Sequence, residues 1–173
     1  MSQPNEDMVS VIDNVMAKHL GAALPATHEP SPTQKTIKNR FGELTIDVKH
    51  AVLFKDGMLG IPGHMHFCII DYPGQSKFKL LQCVEDESLC FIVVPSQADN
   101  QIHEPEDMHD ACQALDVDPD HLLVLFIVSV HSEEGKRRLS VNAKAPVMID
   151  AARKSGTQYV FQSKQYNIQH MIS

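Results

Sequence analysis

The apolar stretch that decides the fold runs Leu122-Leu123-Val124-Leu125-Phe126-Ile127-Val128-Ser129-Val130. It is far shorter than the roughly 20 apolar residues that a membrane-spanning helix requires. Because it is apolar on both faces of an extended chain, it predicts a buried β-strand at the centre of a sheet. A chain of 173 residues can bury a substantial core around such a strand without a metal or a disulfide.

Shorter strand candidates lie on both sides of this stretch. In the segment from Phe41 to Val48, alternation places Leu44, Ile46 and Val48 on one face. The other candidates cover residues 50–54, 66–71, 77–83, 89–94, 137–141, 146–149 and 158–162. Many short strands separated by Gly, Pro and Asn predict an all-β sandwich or barrel.

One helix is predicted within this β-domain, over residues 104–115. Pro105 suits a first helical turn, acids crowd that turn, and Met108, Cys112 and Leu115 recur at helical spacing. We expect this helix to cover one opening of the sheet structure.

A second helical pattern precedes the domain. Residues 5–20 have an apolar face made of Met8, Val9, Ile12, Val15, Met16 and Leu20. A linker rich in proline follows, with Pro25, Pro30 and Pro32. We therefore predict an N-terminal extension over residues 1–35, which adds little to the core, and a β-domain over residues 36–173.

Composition and charge restrict the functional classes. The N-terminus lacks the basic and apolar regions of a secretory signal, so we expect a cytoplasmic protein whose four cysteines are reduced and buried. The net charge is −7, and residues 80–135 contain thirteen acids but no lysine or arginine. Such a block repels phosphate backbones, so we expect no direct nucleic-acid binding. The block is either a solubilising surface or a field that attracts a basic partner.

Several fragments resemble known sites but are incomplete. Residues 116–120 carry acids at the spacing of a calcium loop, but His121 and Ile127 replace the required Gly and Glu. His64 and His66 could form half of a zinc site, yet no spacing of a structural or catalytic zinc motif completes it. Residues 57–63 are rich in glycine, which suits tight turns and close backbone approach. We predict no catalytic residue, no metal and no cofactor, and we expect most of the ten histidines to be solvated.

A set of motifs occurs in the order known from one protein family. The motifs are Thr36-x-x-x-Arg40-Phe41-Gly42-Glu43, Phe54-x-x-Gly57-x-Leu59-Gly60-Ile61-Pro62-Gly63, Phe78-x-Leu80-Leu81-Gln82-Cys83-x-x-Asp86-x-x-Leu89-x-Phe91-x-Val93-Val94-Pro95, Ser140-Val141-Asn142-Ala143-Lys144-Ala145-Pro146-Val147-Met148-Ile149-Asp150, Gly156-x-Gln158 and Tyr166-x-Ile168. Over residues 36–170 they resemble the FliW flagellar assembly factors. Ala143 and Gln169 depart from the Leu and Arg that are usual there.

The resemblance implies an antiparallel β pseudo-barrel with one short helix, preceded here by the N-terminal helical extension. It implies a cytoplasmic chaperone-like regulator, not an enzyme, that binds flagellin and the carbon storage regulator CsrA, an RNA-binding repressor of translation. Binding flagellin and CsrA in mutually exclusive complexes would couple flagellin translation to export. We expect the free protein to be a monomer.

Ten residues are our candidates for partner binding. The family motifs supply Leu81, Gln82, Asp86, Asn142, Lys144 and Pro146, and the acidic block supplies Glu104, Glu106, Asp107 and Asp110. Each motif residue could instead serve the fold, as a core side chain or a turn former. The alternative function is a small-molecule-binding β-barrel that holds a flavin or nucleotide in its mouth. An oligonucleotide-binding barrel needs exposed aromatics, and the ten aromatics of this chain lie mostly at apolar strand positions.

Overall fold

The computed structural model describes residues 32–98 and 101–172. The predicted all-β class is confirmed. The strands are β1 (Gln34–Asn39), β2 (Gly42–Asp47), β3 (Val52–Leu53), β4 (His66–Tyr72), β5 (Gln75–Cys83), β6 (Cys90–Pro95), β7 (Leu122–Glu133), β8 (Lys136–Val141), β9 (Val147–Asp150), β10 (Ser155–Gln158) and β11 (His170–Met171). The helix α1 spans Pro105–Leu115, and 3₁₀ turns cover Val48–His50 and Pro119–His121.

Seven strands close into the pseudo-barrel that the sequence predicted. Their order is β7-β6-β5-β4-β3-β10-β9, and a pairing between β9 and β7 closes the ring. All of these pairs are antiparallel except β3 with β10. Closure leaves the ring with no free sheet edge.

Strand β7 holds the architecture together, as its apolar sequence predicted. Residues 122–125 pair with β9, residues 125–127 pair with β6, and residues 128–133 pair with β8. Beyond Ile127 the strand therefore leaves the ring and forms a hairpin with β8, to which β11 adds a further strand. Strand β7 is central because it pairs with three other strands.

Side chains fill the interior of the barrel. The cluster comprises Val52, Phe54, Met58, Phe67, Ile69, Leu81, Cys83, Val93, Leu123, Leu125, Val147 and Ile149. A Cβ on Gly156 would lie only 2.6 Å from the Phe54 ring, so glycine allows the close approach of β10. A ligand inside the barrel would have to displace these side chains.

Two caps cover parts of the outer surface. The β1–β2 hairpin buries Ile37 and Ile46 against Cys68 of β4. On another face, α1 and residues 159–172 cover a second cluster, which includes Phe126 and Met148. The expectation that the helix covers an opening needs correcting, because α1 packs on the outside of the sheet.

Two local predictions differ from the structure, and one short strand was not predicted. Val48 does not continue the strand face, since the Asp47 carboxylate accepts from Lys49 N and starts a 3₁₀ turn that exposes Val48. The predicted strand 158–162 lies earlier, at Ser155–Gln158, and the short strand β11 was not predicted. The predicted helix over residues 5–20 lies outside the described residues.

Candidate functional site

Helix α1 presents its carboxylates to solvent because its apolar face is buried. Ala111 and Cys112 are buried against the sheet, whereas Glu106 and Asp110 are exposed one turn apart. Glu104 precedes the helix and is also exposed. Acids at a helix N-terminus are stabilised by the helix dipole. We call Glu104, Glu106, Asp107 and Asp110 the acidic surface.

Asp107 differs from the other three acids because it has a structural partner. The Tyr166 hydroxyl donates to Asp107 Oδ2 at 2.5 Å and accepts from Glu104 N at 2.9 Å. Gln165 Nε2 donates to the same carboxylate oxygen at 3.2 Å. Burial, and then the bond to Asp107, raise the pKa of Tyr166. These bonds fix the start of α1 to the C-terminal segment.

His103 attaches the start of α1 to the loop 142–146. Its ring stacks on Phe161 with centroids 4.1 Å apart and meets Tyr166 edge-on at 4.5 Å. Its Nε2 donates to the Ala143 carbonyl at 2.7 Å, because a carbonyl can only accept. Burial lowers the pKa of His103. No sequence signal marked this buried histidine, which is an exception to the expectation that most of the histidines are solvated.

The loop 142–146 is held from within and from the C-terminal segment. Asn142 Oδ1 accepts from Ala145 N at 2.9 Å, which makes a turn. Lys144 Nζ donates to the Ser163 carbonyl at 2.9 Å, and its backbone N donates to the Asn167 carbonyl. Pro146 is buried. Asn142 and Lys144 therefore shape the loop, and both remain partly exposed.

Three candidates, Leu81 and Gln82 on β5 and Asp86 in the turn that follows, differ in burial and in contacts. Leu81 is fully buried in the barrel core. Gln82 is also fully buried, and its Nε2 lies 2.9–3.3 Å from the carbonyls of residues 83, 86, 87 and 89. Asp86 is partly exposed and accepts from the backbone and hydroxyl of Ser88, which lowers its pKa. Gln82 thus holds the turn that presents Asp86.

A carboxylate and imidazole pair lies beside this turn. His66 Nδ1 is 2.6 Å from Glu85 Oε1, and this contact, against the cost of burial, lowers the pKa of Glu85 to about 2. His64 contacts a different carboxylate, with its Nε2 3.8 Å from Asp86 Oδ2. In residues 32–98 and 101–172, no group of three or more acids, histidines or cysteines is arranged to hold a metal ion.

The structure therefore brings together two of the three candidate sets. His103 and Tyr166 join the acidic surface to the loop 142–146. No hydrogen bond or ion pair of the described residues joins the set on Leu81, Gln82 and Asp86 to either. In the sequence Tyr166 belongs only to a short motif, and its role as a junction depends on a contact with a residue 59 positions away.

The cysteines are confirmed as buried and unbonded. All four are buried with no disulfide between them. Burial raises the pKa of Cys68 to about 12 and that of Cys90 to about 11. A thiol with a raised pKa is a poor nucleophile at neutral pH.

Comparison with known families decides the relationship. The family model described as FliW protein matches residues 35–172. The chain belongs to the FliW family. A flagellar assembly factor FliW from Thermoanaerobacter pseudethanolicus is 29% identical over 134 residues, covering 76% of this chain and 88% of that protein. One from Syntrophus aciditrophicus is 26% identical over 139 residues, covering 80% of this chain and 87% of that protein.

A solved structure shares the fold of this FliW chain. The crystal structure of the flagellar assembly factor FliW superposes with a TM-score of 0.62 at 19% identity. The match covers 79% of this chain and 96% of that one. Among the described residues, no helix is long and apolar enough to cross a membrane.

Proposed function

We propose that this protein is a cytoplasmic assembly factor that binds flagellin and CsrA in mutually exclusive complexes and has no catalytic activity. The observation that carries the proposal is the acidic surface, fixed to the loop 142–146 within a chain of the FliW family. Free flagellin then lowers, by mass action, the amount of this protein available to CsrA. Translation of flagellin would thus respond to its export.

The charge of the acidic surface supports CsrA as a partner. A protein that binds RNA carries basic surface, because phosphate neutralisation supplies much of the affinity for RNA. Glu104, Glu106 and Asp110 point into solvent from one short region, so their fields add. Charges at the rim of an interface act mainly on the association rate. Flagellin, whose contacts would be largely apolar, should depend less on these carboxylates.

The four acids differ in their contacts within the fold, so the proposed binding role can be tested without disturbing the junction. Asp107 holds Tyr166 and Gln165, so its replacement would disturb the junction itself. Glu104, Glu106 and Asp110 form no side-chain ion pair with another described residue. The test variant is therefore Glu104→Gln/Glu106→Gln/Asp110→Asn, with Asp107 left intact.

The test measures association and dissociation rates with CsrA at two salt concentrations. We expect several-fold slower association of the triple variant at low salt, a weaker salt dependence, and little change in dissociation. Flagellin binding should change less. Association and salt dependence equal to those of the wild type would show that the acids only solubilise the protein.

A control variant removes the same charge elsewhere. Glu43→Gln/Asp56→Asn/Glu134→Gln replaces three exposed acids outside α1. At about 0.1 M salt this variant should retain the association rate within a factor of about two, because exposed charges beyond a Debye length of about 10 Å are then screened. Equal slowing in both variants would mean that net charge, not the acidic surface, governs encounter.

A further inference from the structure

Strand β7 has one edge without a partner beyond Ile127. On one side the strand pairs with β9 and then with β8 as far as Glu133. On the other side it pairs with β6 only from Leu125 to Ile127. Because β6 continues beside β5 while β7 bends out of the ring, no described residue pairs with this side of residues 129–133. We call this side the β7 edge.

The register of the β7–β8 hairpin determines which backbone groups point out of the β7 edge. A two-residue loop follows Glu133, and the residues that flank such a loop form a hydrogen-bonded pair. Hydrogen-bonded pairs then recur at every second residue of an antiparallel ladder. The bond from Asn142 N to the Ile127 carbonyl, at 3.0 Å, fits this alternation. Val130 and Ser132 therefore turn both N–H and C=O away from β8.

These four backbone groups are able to bond a further strand. No hydrogen bond between described residues occupies the N–H or the C=O of Val130 or Ser132. An unpaired strand edge is a template for another extended chain. The main-chain bonds of an added strand supply affinity, and its alternate side chains supply specificity. The backbone of the β7 edge thus fits a β-strand.

The β7 edge lacks the side chains that protect other edges from such pairing. Charged residues commonly prevent the addition of a strand to an exposed edge. The β1–β2 hairpin follows this rule, with Lys35 and Lys38 on one strand and Glu43 on the other. Residues 129–132 contain no lysine, arginine, acid or proline. Val130 is also 55% exposed although it is apolar, so the β7 edge is open to a partner.

A cleft beside the β7 edge selects the side chain that the added strand presents to it. The cleft has a volume of about 330 Å³, and Val130 lies on its wall with the half-buried rings of Tyr72 and Phe78. The two rings meet edge-on with centroids 6.4 Å apart. Residues directly opposite each other in a sheet point to the same face. The residue opposite Val130 therefore points into the cleft, where an aromatic ring is complementary.

Arg137 selects the charge at one end of the added strand. It is the register partner of Ser132 and also lines the cleft, so both side chains point to the cleft face. Arg137 is exposed and forms no ion pair with another described residue. A residue opposite Ser132 lies about 10 Å from β8, two strand spacings away, which a facing acid and arginine can span. Arg138 points to the other face, with its Nε 3.9 Å from Glu133 Oε2.

We propose that the β7 edge binds an extended segment of a partner protein as an additional antiparallel strand. Every pairing of β7 with its neighbours is antiparallel. In this direction the segment has an acid opposite Ser132, then any residue, then an aromatic residue opposite Val130. No residue of the acidic surface or of the loop 142–146 takes part, so this proposal is independent of the proposed function.

The test uses the full-length protein and the peptide Thr-Glu-Thr-Phe-Thr, capped at both ends. Amide hydrogen exchange is measured residue by residue by NMR. In the free protein the amides of Val130 and Ser132 should exchange about ten-fold faster than those of Ser129 and His131, which bond to β8. Peptide at twice its dissociation constant should slow exchange at Val130 and Ser132 about three-fold and leave the other two unchanged.

Methylated peptides distinguish strand addition from simple insertion of a ring into the cleft. A methyl on the Phe nitrogen removes the N–H that faces Val130 and should weaken binding about ten-fold. A methyl on the nitrogen of the Thr before it, whose N–H points away from β7, should change binding less than about two-fold. Equal affinities of the two methylated peptides would overturn the proposal. So would the absence of binding by the parent peptide at millimolar concentration.

Protein variants test the preference for an acid. Arg137→Gln should weaken binding of the parent peptide several-fold but not binding of a peptide with Gln in place of Glu. Arg138→Gln, on the other face, is the matched control and should weaken neither. Equal effects of the two variants would overturn the role of Arg137.

The free protein provides the last control. Slow exchange at Val130 and Ser132 without peptide would overturn the proposal. If this protection disappeared on dilution, a second copy would occupy the β7 edge. If it persisted at every concentration, the chain would cover its own edge.

Discussion

Replacing Gln82 by methionine tests whether this residue acts through the turn that it holds. Methionine keeps the length of the side chain and removes its amide. Nε2 has two hydrogens for four surrounding carbonyls, and Oε1 accepts from Asn39 Nδ2 at 2.6 Å. The change thus removes about three hydrogen bonds, each worth about 1 kcal/mol. Because part of the turn can reach water, we expect a loss of about 2–3 kcal/mol.

The measurement is the free energy of unfolding from urea titrations of the wild type and Gln82→Met. Gln162→Met is the matched control, since Gln162 is exposed and its Nε2 donates to the Val160 carbonyl two residues away. The control should change stability by less than about 0.5 kcal/mol. A loss below 1 kcal/mol at Gln82 with weakened partner binding would refute the reasoning, because Gln82 would then contact the partner.

Three further predictions concern the core. Gly156→Ala should lower the unfolding free energy by about 1–3 kcal/mol in urea titration, because its Cβ would overlap the Phe54 ring; an unchanged stability would contradict the close packing. The pKa of His103 is lowered on folding, so its contribution to stability is full above the unfolded pKa of about 6.5 and is lost as pH falls toward the folded pKa. Thermal melts should show this loss of stability at low pH, and the loss should be smaller in His103→Gln than in the wild type. The four buried thiols should react with a thiol reagent only after unfolding; fast reaction of the native protein would show an exposed thiol.

The barrel could be predicted from sequence because apolar pattern and turn residues are local signals. The segment Leu122–Val130 predicted a central strand, and it pairs with three neighbours. Pro105 and the acids around it predicted the helix to within one residue. The resemblance of ordered motifs then selected a pseudo-barrel among all-β folds.

The site could be predicted only in part, because burial of polar groups depends on distant contacts. Gln82 and His103 are polar residues that pack in the interior. Their hydrogen-bond partners Asn39 and Ala143 lie 43 and 40 residues away in sequence. The alternating pattern also placed Val48 wrongly on the strand face, because the Asp47 side chain caps a 3₁₀ turn that ends the strand. The acidic surface was predictable because a short helix with a strong apolar face leaves its acids outside.

The most direct test of the proposed function is a competition between the two partners. Fluorescently labelled CsrA is bound to the full-length protein, and its anisotropy is followed as flagellin is added. We predict that flagellin returns the anisotropy to that of free CsrA, with a midpoint that rises in proportion to the amount of this protein present. An anisotropy that stays high or increases, as a ternary complex forms, or that shows no binding of CsrA at all, would contradict the exchange of partners.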